Sequence, residues 1–265
     1  MAVLEICVDS VESAVSAERG GAQRVELCSD LTEGGLTPSL GLIRAVRLRI
    51  KIGVHVMIRP RAGDFLYSDD DFAVMRDDIA AAAECGVEGV VLGLLTADGD
   101  VDVERTKELV KLARPLEVTF HRAIDMARDI EGALEEVIET GADRILTSGA
   151  EPTAMQGRRR IGELVRASEG RIGVMAGSGI RAENVQEIAQ ATGVEEFHAA
   201  LRRVVPSPIR HQRRKVHLGD PGVDDYARRV VRAADVRTLQ EAIDAAFSQD
   251  AIAGPAEVKR GTRRS

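Results

Sequence analysis

The chain contains no tryptophan and only 3% aromatic residues, so it has almost no platforms on which nucleobases could stack. An excess of positive charge is also missing. Lysine and arginine total 36 against 43 acids, and the formal net charge of −7 gives no indication of a nucleic-acid-binding surface. Cysteine is scarce and odd in number, three in all with no visible pairing framework, which fits a reducing cytoplasm. No apolar run reaches the length that spans a bilayer. The start, Met1-Ala2-Val3-Leu4-Glu5-Ile6, lacks the basic region and long apolar stretch of a signal peptide. These absences predict a cytoplasmic protein with neither nucleic acid nor membrane among its partners. What is present is ample apolar material: 44% of 265 residues is enough for one large core.

Four short runs rich in β-formers carry polar chemistry along one face: Leu4-Glu5-Ile6-Cys7-Val8-Asp9, Arg24-Val25-Glu26-Leu27-Cys28, Val54-His55-Val56-Met57-Ile58-Arg59 and Val118-Thr119-Phe120-His121-Arg122. Strand side chains alternate between faces. One face is therefore aliphatic, and the other holds Glu5, Cys7, Asp9, Glu26, Cys28, His55, Met57, Arg59, Thr119 and His121. If the aliphatic faces meet covering helices, the second set converges on one interior. Acids, thiols and imidazoles are rarely buried together without a role.

A pattern of glycine, small apolar residue and hydrophobic strand recurs at Gly21, Gly86, Gly141 and Gly193. Glycine suits the left-handed position past a helix end, so each copy reads as a helix-to-strand junction. With strands also at about 3–9, 54–59, 115–120 and 172–177, the count reaches eight, alternating with amphipathic segments such as 69–85, 102–113, 128–140 and 182–192. This predicts an α/β fold, a single-domain (β/α)8 TIM barrel over residues 1–247. An open doubly wound sheet fits less well, because its strands are apolar on both faces. Residues 201–234 read as a long basic loop before a last helix at about 235–247, and residues 248–265 as a disordered tail.

In such barrels function sits at the C-terminal strand ends. Arg59, Arg61 and Arg122 fall there and offer forks suited to phosphate or carboxylate, or to pairing with Glu5, Asp9, Glu26 or Asp125. Gly177-Ser178-Gly179 follows the seventh strand, where backbone N–H groups favour an anion. His121 is the first candidate proton carrier and Glu26 its candidate partner, as an acid-base group or a divalent-metal ligand, while His55 and His198 lie nearer the interior. Cys7 and Cys28 share inward parity on neighbouring strands. With the Met57 thioether close by, they are either core thiols or soft ligands for Cu(I).

The same residues carry a resemblance. Leu4 to Ala14, Arg24 to Cys28, Glu33 to Ser39, Val54 to Ser68 with its arginine-proline-arginine block, and Thr119 to Ala123 are similar to the CutC family of copper-homeostasis proteins. The chain departs from that pattern at Ser178, where the family more often has glycine, and at Ala200, where serine is common. The resemblance implies a cytoplasmic TIM barrel, a homo-oligomer such as a dimer or tetramer, with Cys7 and Cys28 as candidate Cu(I) ligands. Two functions remain open. One is copper binding through these thiols. The other is an enzyme on a small anionic, phosphorylated substrate, with Arg59, Arg61, Arg122 and the glycine turn holding the anion and Glu26, His121 and Arg59 doing acid-base or metal-assisted work.

Overall fold

Alternation along the strands decides the architecture. In the computed structural model, which describes residues 2–213, 215–216 and 224–250, Leu4, Ile6, Val8, Val25, Leu27, Val54, Val56, Ile58, Val118 and Phe120 are all fully buried in one core cluster with the helices. Their inward neighbours line the space that remains. The elements are β1 (Val3–Val8), α1 (Val11–Gly20), β2 (Arg24–Leu27), α2 (Leu40–Arg47), β3 (Gly53–Met57), α3 (Asp69–Glu84), β4 (Gly89–Leu92) and α4 (Val103–Ala113). They continue with β5 (Glu117–Phe120), α5 (Ile130–Thr140), β6 (Arg144–Thr147), α6 (Ala154–Ser168), β7 (Gly173–Ala176), α7 (Val185–Thr192) and β8 (Glu196–Ala199). A short 3-10 turn, Arg122–Met126, precedes α5.

Strands β1 to β8 pair in parallel in sequence order, and β8 closes back on β1, so the fold is a (β/α)8 barrel. The four repeat glycines all have positive φ, from 70° to 97°, in keeping with the junctions read from the sequence.

The stretch expected as a basic loop differs. It contains β9 (Arg202–Pro206) and β10 (Ala227–Val231), paired antiparallel, before α8 (Ala233–Asp250). Val230 and Val231 are buried, and the Val231 N–H donates to the Ser13 hydroxyl of α1, which pins the ribbon against the barrel. Arginines interleave with these valines, so the β-pattern is easily read as a charged loop. From residue 251 onward the expected tail lies outside the described residues.

Candidate functional site

The barrel interior is built in tiers. At the N-terminal ends of the strands, the Arg24 guanidinium donates to Glu5 at 2.5 Å and to Glu196 at 2.8 Å. Arg144 meets Glu196 and Glu117, each at 3.0 Å. Buried arginines need such partners, and this tier closes the barrel bottom.

The next tier joins β1, β2 and β8. Strand register sets Cys7 beside Glu26 and Glu5 beside His198. His198 Nδ1 lies 2.7 Å from Glu5, which turns Nε2 toward Glu26, 3.8 Å away. One ligand atom each from Cys7, Glu26 and His198 falls within 4.8 Å of the others. Cys28 completes the group, its sulfur 3.9 Å from the Cys7 sulfur and 3.4 Å from Glu26. Cys7, Cys28, Met57 and Val91 form a small apolar cluster of their own.

Charge in this tier follows from what each group touches. For Glu5, burial works toward protonation, but Arg24 and His198 overcome it and hold the carboxyl well below the usual range. Burial and the Cys7 sulfur push Glu26 upward. Burial disfavours charge on His198, yet Glu26, Cys7 and Glu5 together raise it well above an ordinary histidine. Within the thiol pair, the hydrogen bond from Cys28 favours the Cys7 thiolate, while burial keeps the proton on Cys28. One Glu26 oxygen, Oε1, is buried without a hydrogen-bond partner.

Above this tier opens a cavity of about 850 Å³. Cys7, Glu26, Met57 and His198 form its floor, and Arg122, Arg181 and Arg202 reach its walls. His121 lines it too. Its Nδ1 accepts the Ala123 N–H at 3.2 Å, and its ring sits where any Cβ on Gly93 would collide at 2.5 Å. Burial, then the Arg59 and Arg122 charges, lower its pKa to about 3. At neutral pH the imidazole is uncharged, and its Nε2 is buried without a hydrogen-bond partner.

The arginines divide. Arg59 is buried, and its terminal nitrogens donate to the carbonyls of Glu33, Gly35 and Gly63 at 2.6–3.0 Å. Arg61 is occupied by Asp64, Asp71 and three backbone carbonyls. Neither presents the open fork that its position suggested, because acceptors in the β2–α2 loop, in the loop after β3 and in the first turn of α3 occupy them. Arg122 pairs with Asp125 and the Ser148 hydroxyl, each at 2.8 Å, yet its side chain stays 43% exposed at the cavity. Asp9, another expected partner, stands 3.9 Å from Arg202 instead.

In the turn after β7, the Gly177 N–H belongs to the sheet, bonded to the Thr147 carbonyl. Ser178 and Gly179 line the cavity. Ser178 holds φ +73°, a left-handed conformation, with its hydroxyl donating to the Pro152 carbonyl.

Sequence reasoning grouped Cys7, Cys28 and Met57, which pack in one cluster, but it paired Glu26 with His121, whereas Glu26 lies against Cys28 and His198, and it gave no role to His198. The available signal was its inward parity on the last strand of a barrel that must close on the first.

Comparison with known proteins agrees with this geometry. The CutC family model matches residues 2–203. A CutC family protein of Chromobacterium violaceum is 50% identical over 92% of this chain and 99% of its own length. The human copper homeostasis protein cutC homolog is 47% identical over 89% of this chain and 87% of its own. The crystal structure of a Streptococcus agalactiae protein described as a copper homeostasis protein CutC is 34% identical, covering 75% of this chain and 98% of that one, with a TM-score of 0.71. By sequence over most of its length and by fold, the chain belongs to the CutC family.

Proposed function

We propose that this protein binds Cu(I) through the paired thiols of Cys7 and Cys28, with the Met57 thioether beside them. The observation that carries this reading is the 3.9 Å sulfur separation, with Cys7 lining the floor of an open cavity and Cys28 buried beside it. With metal–sulfur bonds of about 2.3 Å, as in zinc thiolates, that separation corresponds to an angle of about 115° at the metal. A bent pair leaves room for a third soft donor, and Met57 packs in the same cluster. Thiolate and thioether are the donor types that select Cu(I). The thiolate character of Cys7 supports it, since the thiolate is the ligand form. The family's copper-homeostasis descriptions point the same way.

Cu(I) titration against a strong competing chelator should show one ion per chain, with binding lost in both Cys7→Ser and Cys28→Ser. Unchanged affinity in either variant removes the paired-thiol site.

A second reading, an enzyme acting on a small anionic substrate, is favoured by one separate observation. The cavity is large enough for a small molecule, and Arg122 remains partly open to it. In this reading Glu26 is the acid-base group and Arg122 with the Ser178-Gly179 turn holds the anion. A rise in melting temperature with inorganic phosphate tests it.

A further inference from the structure

We infer that Cys7, Glu26 and His198 form a binding site for a borderline divalent cation, of which Zn²⁺ is the best fit, with one coordination position open to the cavity. Three observations converge. The first is geometric: the three ligand atoms lie within 4.8 Å of one another and all three residues are buried. For metal–ligand bonds of about 2.0–2.1 Å, a tetrahedral N···O edge is about 3.4 Å. The 3.8 Å between His198 Nε2 and Glu26 Oε2 is therefore a few tenths of an ångström from closure.

The second is an unmet need. Glu26 is only 3% exposed; Oε2 accepts from the Cys28 thiol, but Oε1 has no hydrogen-bond partner, a cost that a cation beside the carboxylate removes. The third is orientation. Glu5 holds Nδ1 of His198 at 2.7 Å and so presents Nε2 to the site, the carboxylate–histidine arrangement that supports metal-bound imidazoles. Arg24 in turn fixes Glu5 from below.

The donor set chooses the ion. On binding, the cation displaces the protons of His198 and Glu26, leaving one thiolate, one carboxylate and one neutral imidazole, whose two negative charges a divalent ion brings to neutrality. Mixed sulfur, nitrogen and oxygen donors suit zinc, whereas calcium and magnesium require oxygen alone. Three protein ligands with a fourth position facing a cavity is the arrangement of catalytic rather than structural zinc. The open position would take an oxygen or another donor from a small molecule in the cavity. This site shares Cys7 with the proposed Cu(I) pair but uses neither Cys28 nor Met57, so the two assignments fail separately.

The test uses the full chain. Zn²⁺ titrated against a competing chelator should bind one per chain, and Co²⁺ should give a thiolate charge-transfer band. Zinc affinity should fall by more than about tenfold in His198→Gln and Glu26→Gln, and by about tenfold in Glu5→Gln, which removes the orienting charge and a partner of Arg24 but no ligand. For zinc, His198→Gln should cost more than Cys28→Ser; for Cu(I) the order should reverse. Because buried variants can misfold, an anomalous map at the zinc edge from soaked wild-type crystals gives an independent reading. A peak among Cys7, Glu26 and His198 supports the site. Absence of a peak there, or zinc affinity indifferent to His198→Gln in a folded variant, overturns it.

Discussion

At the scale of single residues, environment rather than residue type decides what each functional group can do. Arg59 and Arg122 carry the same guanidinium, but the first is enclosed by carbonyls and the second stands half open at the cavity. An anion should therefore depend on Arg122. If inorganic phosphate raises the melting temperature of the wild-type protein, Arg122→Ala should abolish the rise by mass action. A rise that persists in this variant would sink the assignment of the anion to Arg122. Ser178 shows the same dependence on setting. A left-handed φ disfavours any side chain, yet its hydroxyl bond to Pro152, worth about 1 kcal/mol, offsets much of that strain.

At the scale of elements, the arginine-proline-arginine block following β3 is a clamp between loops. The Arg59 side chain binds carbonyls of Glu33 and Gly35 in the β2–α2 loop and of Gly63 in the β3–α3 loop, while its own backbone pairs with Thr37. Its fork meets carbonyls in two loops, which a single ammonium group cannot do. Arg59→Lys should cost about 2–3 kcal/mol and speed amide hydrogen exchange in residues 29–37 and 60–66. Unaltered exchange in those loops would show that the clamp contributes nothing. This role was not legible in the sequence. The block marks a strand end, and strand ends attract functional readings, but carbonyl acceptors leave no trace in residue identity. The strand faces, by contrast, were legible, because alternating Leu4, Glu5, Ile6, Cys7 and Val8 forces one face outward and the other inward. The pairing of Glu5 with His198 spans 193 residues and exists only because β8 closes on β1. Local pattern has no access to it.

At the scale of the whole molecule, a barrel interior stocked with buried titratable groups makes stability depend on pH. His121 and His55 contribute on the acid side, with pKa values lowered to about 3 and about 4. Burial is the main cause for both. Arg59 and Arg122 add to it at His121; at His55, Arg24 and Arg144 add to it while Glu5 and Glu117 oppose. Each folded value lies below the unfolded one, near 6.5, so the folded state binds fewer protons. The resulting stability is fully present above pH 6.5 and is lost as pH falls through the folded values. This contribution should lower the melting temperature between pH 6.5 and 3. His121→Gln, which keeps a neutral polar side chain, should flatten that decline relative to wild type. Equal slopes for the two proteins would mean that His121 stays neutral in the unfolded chain as well or is charged in both states. The second would contradict the buried, uncharged imidazole at the cavity wall, and the first would remove its contribution to the pH dependence.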